Sequence, residues 1–171
     1  VGFKNGTTGS IQIAIDAIKA AAYPHHFLSV TKDGVSAIVS TLGNPSCHVI
    51  LRGSSSGPNH DAQSVADTAS ALQAAGLPPH VMVDCSHGNS RKDPERQPAV
   101  AAEIAAEIAA GSPAVTGLML ESHLVGGSQN LADPANLTYG QSVTDGCIGW
   151  DSTVAVLELL DQAVRQGRTL D

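Results

Sequence analysis

Four chemically capable side chains, Lys4, Arg52, His87 and Glu121, each close an apolar, β-branched run, and the last three are almost evenly spaced. Two of them are cations. A lysine and an arginine facing one space suit a phosphorylated anion, the guanidinium through a bidentate fork. The bland alternative is an ion pair between each cation and a nearby carboxylate, and for Lys4 alone that reading is preferred. The other two suit a metal. His87 offers an imidazole nitrogen, Glu121 a carboxylate, and Asp145, in a later Gly-rich loop, a third donor. One His with two carboxylates is a mixed N/O set that fits Mn, Fe, Co or Zn. The spacing matches no compact motif such as HExxH, and Asp145 before Gly146 also reads as a turn former. His123, Ser86 and Asn89 read as loop or supporting hydrogen-bonding residues. A Ser-His-Asp hydrolase would need a nucleophile elbow, GxSxG, which the sequence lacks.

Periodicity supplies the elements that must hold these groups. Residues 1–3 read as the tail of a strand, stopped by Asn5-Gly6. Thr8-Gly9-Ser10 offers a helix cap, and residues 11–22 carry an apolar stripe at helical spacing that Pro24 ends. Residues 27–31 and 36–41, separated by Lys32-Asp33-Gly34, form a hairpin signal. A hairpin does not belong to a plain β/α repeat, so it reads as an insertion. Strands are expected over 47–52, 81–85 and 114–120, helices over 61–75, 94–110 and 152–166, and a long loop over 125–149. Four β/α units in 171 residues fit half of an eightfold barrel, which needs about 250 residues in full. A doubly wound sheet is the rival, but no GxGxxG or P-loop follows a strand. In a β/α barrel the C-terminal strand ends converge on one mouth, which would bring the four residues together.

Composition narrows the class. With 42% hydrophobic and 15% charged residues the chain is too apolar for disorder, and a net charge of -7 disfavours nucleic acid as a partner. No apolar run approaches the ~20 residues of a membrane span. Three cysteines without CxxC spacing indicate neither a disulfide framework nor a zinc ribbon, and favour the cytoplasm. The opening Val-Gly-Phe-Lys, without Met, reads as an entry in mid-fold, so the chain is expected to be a fragment forming one partial barrel domain over 1–171.

The segments VGFKNGT, FLSVTKDGVSAIV, ILRG, DCSHGNS, GLMLESHLVGGSQ and SVTDGCIGW occur in that order. Together they resemble the type I, Phe/Tyr-sensitive class of 3-deoxy-D-arabino-heptulosonate 7-phosphate synthase, which opens the shikimate route to aromatic amino acids. The resemblance implies the C-terminal half, strands five to eight, of a (β/α)8 barrel with an inserted hairpin. It implies a metal-dependent, aldol-like condensation of phosphoenolpyruvate with erythrose 4-phosphate. Lys4 and Arg52 match the family's phosphoenolpyruvate-binding cations. His87, Glu121 and Asp145 match three of its four metal ligands, with Asp145 also placed to touch the aldehyde. Phe27, Ser29 and Val39 match positions of a hairpin site for an aromatic amino acid feedback inhibitor, and the family likeness implies a homo-oligomer.

The fourth metal ligand, a Cys on the first strand, and the basic residues of strands two to four are absent from these residues, so the isolated chain is expected to be inactive. Arg52-Gly53-Ser54 replaces the usual Arg-Gly-Gly, and Cys85 stands where the family often has Phe. Alternation puts Val81, Val83, Cys85 and His87 on one inward face, with Cys85 as core filling. Two other readings remain open: a non-catalytic amino-acid-binding or oligomerisation segment, and a metal-dependent barrel hydrolase using His87, Glu121 and Asp145.

Overall fold

The computed structural model describes residues 1–132 and 134–169. In chain order the elements are β1 (Gly2–Lys4), α1 (Gln12–Ala22), β2 (His26–Val30), β3 (Ser36–Ser40), β4 (His48–Leu51), α2 (Ala62–Ala74) and β5 (Val81–Asp84), then α3 (Gln97–Ala109), β6 (Val115–Met119), β7 (Val125–Ser128), β8 (Gln141–Ser142) and α4 (Trp150–Gly167). Strands β1, β4, β5 and β6 form one sheet in that order, with every pair parallel. Each of the four is followed by a helix, as right-handed β/α units require.

Strand alternation sorts the two faces of the sheet. Val49, Leu51, Val81 and Val83 are buried against Ala14, Ile15 and Ile18 of α1, Val65 and Leu72 of α2, and Ile104 of α3. Removing each such side chain from water contributes about 1.5–3 kcal/mol, which makes this layer the main stabiliser of the sheet. Cys85 continues the same face into a second cluster with Val100, Ala101 and Val156, where α4 packs on α3. This face points to the helices and not inward as expected, because the helices supply the apolar surface that covers it. The alternation expected from sequence holds through Cys85 but not to His87, whose backbone turns left-handed at φ 50. That turn breaks the two-residue period and takes the imidazole away from the helices.

The helix starts differ from expectation in two places. No side chain caps α1: its first turn follows Ile11, and residues 6–10 close on themselves through Gly6 N–H to Ser10 C=O at 3.0 Å. The segment expected as one helix from Pro94 begins as a 3-10 turn, Pro94–Arg96, before α3 proper. The Asp93 carboxylate accepts from Glu95 N–H at 3.1 Å and holds this turn. By contrast Asp61 caps α2 through Ser64 N–H at 3.0 Å.

The hairpin of β2 and β3 pairs antiparallel, with Phe27 opposite Val39 and Leu28 opposite Ile38, and stays outside the four-stranded sheet. The stretch expected as a loop contains the short parallel pair β7 and β8. Gly126 and Gly127 within β7 hid it, because glycine carries no strand pattern. No described helix is long and apolar enough to cross a membrane.

Candidate anion and metal site

The C-terminal ends of β1, β4 and β5 are tied together by three asparagines. Asn5, 3% exposed, donates to Gly53 C=O at 3.0 Å and accepts from Arg52 N–H at 2.8 Å. Asn59 accepts from Gly53 N–H at 2.7 Å, and Asn89 accepts from Asn59 N–H at 2.8 Å while donating to Leu51 C=O at 3.1 Å. The loops after β4 and β5 then touch backbone to backbone. A Cβ on Gly88 would lie 2.7 Å from Ser54 N, so only glycine permits that approach. The effect is to hold Arg52 and His87 at fixed separation on neighbouring strand ends.

His87 is fixed by the strand below it. Its Nδ1 lies 2.9 Å from Asp84 Oδ2 and 2.7 Å from Ser86 Oγ, which leaves Nε2 facing Glu121 Oε1 at 3.5 Å. Asp84 is fully buried and also accepts from Lys4 Nζ at 2.7 Å and from Ser86 N–H at 3.0 Å. Burial pushes the Asp84 carboxyl up, but the Lys4 and Ser86 hydrogen bonds outweigh it and hold the group below the usual carboxylate range. Asp84 is therefore an anion at neutral pH.

Glu121 is held from the helix side. Gln97, fully buried at the start of α3, donates to Glu121 C=O at 3.0 Å and accepts from Glu121 N–H at 2.8 Å. The loop carrying Asp145 is sewn to the same residue, because Ile148 N–H donates to Glu121 C=O at 2.9 Å. One donor atom each from His87, Glu121 and Asp145 lie within 4.8 Å of one another. Arg52, Ser86, His87, Lys92, Glu121 and Asp145 line one cavity of about 310 Å3. Among the described residues the Arg52 guanidinium has no carboxylate partner.

Gln97→Ala removes both hydrogen bonds to the Glu121 backbone; the C=O keeps Ile148 N–H, but the part-buried Glu121 N–H loses its partner, a cost of about 1–3 kcal/mol. The expected outcome is a stability loss of about 1–3 kcal/mol in denaturant unfolding, with weaker divalent-metal binding in titration. Wild-type stability with unaltered metal binding would contradict the clamp.

The three sequence-expected metal donors thus come together, with Arg52 beside them. Lys4 joins through Asp84 and makes the carboxylate pair that its sequence context favoured. Cys85 is core: it is fully buried, and burial pushes its thiol up to about 12, so it offers no thiolate. Ser86, Asn89 and His123 act in hydrogen bonding, the last accepting from Leu124 N–H at 2.8 Å. Phe27, Ser29 and Val39 share one face of the hairpin, with Ser29 and Val39 half-buried and Phe27 exposed. Sequence reasoning missed Asp84, Gln97 and Lys92. Asp84 carried one available signal, a carboxylate placed in an otherwise apolar buried strand.

A parallel sheet with helices on one face, and a cation set beside a His/carboxylate cluster at its C-terminal edge, is the architecture of β/α proteins that handle small anions at strand ends. Residues 1–158 match the DAHP synthetase I family, and the chain belongs to that family. It is 54% identical over 168 residues to the Phe-sensitive phospho-2-dehydro-3-deoxyheptonate aldolase of Escherichia coli, covering 98% of this chain and 48% of that one. It is 50% identical over 175 residues to the phenylalanine-inhibited aldolase of the same name from Saccharomyces cerevisiae, covering 98% and 47%. The solved phospho-2-dehydro-3-deoxyheptonate aldolase of Francisella tularensis superposes with a TM-score of 0.91 at 50% identity, over 97% of this chain and 48% of that one. The chain spans about half the length of the curated relatives it matches.

Proposed function

We propose that these residues form the C-terminal half, strands five to eight, of a (β/α)8 barrel that condenses phosphoenolpyruvate with erythrose 4-phosphate, giving 3-deoxy-D-arabino-heptulosonate 7-phosphate and phosphate. Strands β1, β4, β5 and β6 are that half, and the rest of the barrel comes from sequence outside these residues. The observation that carries the reading is the meeting of His87, Glu121 and Asp145 within 4.8 Å, in a cavity shared with Arg52, whose guanidinium has no carboxylate partner among the described residues.

The donor set fits a divalent cation. It offers one imidazole nitrogen and two carboxylates, with His87 Nε2 turned toward Glu121, which suits Mn, Fe, Co or Zn. When bound, such an ion supplies Lewis acidity toward the aldehyde oxygen. Arg52 grips the phosphoenolpyruvate anion through a bidentate fork, and Lys4 adds a second positive charge. Together they orient carbon 3 of phosphoenolpyruvate toward the aldehyde, which lowers the entropic part of the barrel's barrier. Carbon 3 bonds to the aldehyde carbon, water adds at carbon 2, and phosphate leaves. The exposure of Asp145, greatest of the three donors, supports a second contact from it to the aldehyde substrate.

Relatives are named as Phe-sensitive, phenylalanine-inhibited and tyrosine-inhibited. The hairpin face with Phe27, Ser29 and Val39 is the proposed seat of an aromatic amino acid inhibitor, in a homo-oligomer. The test is phosphate release by the full-length protein. It should require both substrates, vanish with chelator and return with Mn2+. Absence of release under all these conditions would reject the reading.

The 171 residues alone leave β1 and β6 as open sheet edges with unpaired backbone groups. Purified by themselves they are expected to dimerise or aggregate and to lack turnover. Light scattering with the same assay decides, and a soluble monomer with turnover would contradict the half-barrel.

A further inference from the structure

We propose that Asp84 is a positioning residue that sets the His87 tautomer for cation binding and, through the same oxygen, anchors Lys4. This rests on the metal reading of His87 given above. Asp84 is fully buried, and four donors converge on its two oxygens. Ser86 N–H, at 3.0 Å, and Ser86 O–H, at 2.9 Å, address Oδ1. The Lys4 ammonium, at 2.7 Å, and His87 Nδ1, at 2.9 Å, address Oδ2.

An ionised carboxylate only accepts. The single Ser86 hydroxyl hydrogen goes to Asp84, so Ser86 Oγ, 2.7 Å from His87 Nδ1, meets that nitrogen as an acceptor. Both neighbours of Nδ1 are then acceptors, and the ring proton must sit on Nδ1. The lone pair is left on Nε2, the nitrogen that faces Glu121. A carboxylate behind a metal-binding imidazole fixes ring orientation and raises the basicity of the free nitrogen.

Asparagine cannot replace this carboxylate. If its amide oxygen faces Ser86, its NH2 opposes the Lys4 ammonium and donates to His87 Nδ1, driving the proton to Nε2. If it is flipped, its NH2 opposes Ser86 N–H instead. Either arrangement puts a donor against a donor in a buried place.

The experiment is nitrogen-15 NMR of the metal-free full-length protein, joined to Mn2+ titration calorimetry. The wild type is expected to carry its neutral-imidazole proton on Nδ1 of His87; a proton on Nε2 overturns the proposal without any variant. Asp84→Asn is expected to weaken Mn2+ binding roughly 10–100-fold, and to move that proton to Nε2 wherever its NH2 faces Nδ1. An unmoved proton with Mn2+ affinity near wild type overturns it. Lys4→Met separates the ion pair from the imidazole: it should leave the proton on Nδ1 and Mn2+ affinity near wild type. If Lys4→Met reproduces the Asp84→Asn loss, the effect runs through the ion pair and the proposal fails. Should Asp84→Asn not fold, the wild-type tautomer and Lys4→Met still decide. Failure of the underlying metal reading shows separately, as wild-type protein that binds no Mn2+, and the tautomer measurement then still decides what Asp84 does.

Discussion

Replacement of His87 by alanine in the full-length protein is expected to lower turnover by roughly 10³-fold or more, since Lewis-acid catalysis is worth several kcal/mol and each 1.36 kcal/mol is tenfold. The imidazole is the one nitrogen donor of the cluster, and its Nε2 stands 3.5 Å from Glu121 Oε1. Its loss leaves two carboxylates, one of them exposed, with no rigid partner. The fold should tolerate the change. The His87 side chain lies off the helix-facing core, Asp84 keeps Lys4 and Ser86 as donors, and histidine already bears most of the cost of the left-handed backbone at φ 50, so alanine adds little. Metal content and turnover therefore fall together while the melting temperature moves little. Full metal stoichiometry with near-normal rate would sink the assignment.

Arg52→Ala is expected to raise the KM for phosphoenolpyruvate roughly 10–100-fold, the equivalent of about 1.5–3 kcal/mol for a charge-assisted contact. The KM for erythrose 4-phosphate should change less. The side chain lines the cavity, and no carboxylate among the described residues neutralises it. Its backbone is held independently by Asn5, so deletion of the guanidinium leaves the strand end in place. Arg52→Lys should rescue poorly, because an ammonium cannot reproduce the planar fork. Equal effects on both substrates, or none, would argue that Arg52 serves another ligand.

Three of the residues that line the cavity were legible because each closes a strand, and strand ends in a β/α repeat converge. Arg52, His87 and Glu121 needed only the strand-helix alternation and their own chemistry. The hairpin was legible from its β-branched runs around Lys32-Asp33-Gly34. What escaped was the machinery that orients these groups, because its partners are remote in sequence. Asp84 meets Lys4 eighty residues away, Gln97 clamps Glu121 across twenty-four, and Asn5 reaches Gly53 across forty-eight. No local period encodes such pairings. The face shared by Val81, Val83, Cys85 and His87 was misread for a different reason: the first three meet the helices, and His87 leaves them for the cavity. Alternation is a rule for extended backbone, and at His87 the chain leaves that region. The capping of α1 was misread because Gly9, at φ 95, folds the preceding loop onto itself and Ser10 makes no side-chain cap.

Whether His87, Glu121 and Asp145 hold one divalent cation is read from an anomalous difference map of crystals of the full-length protein grown with Mn2+. One strong peak is expected, bonded to His87 Nε2 and to carboxylate oxygens of Glu121 and Asp145, at distances of about 2.0–2.3 Å. His87 Nδ1 should still pair with Asp84, and Arg52 should face the same cavity. A peak held by other residues, or no peak at saturating Mn2+ in catalytically competent crystals, would contradict this assignment.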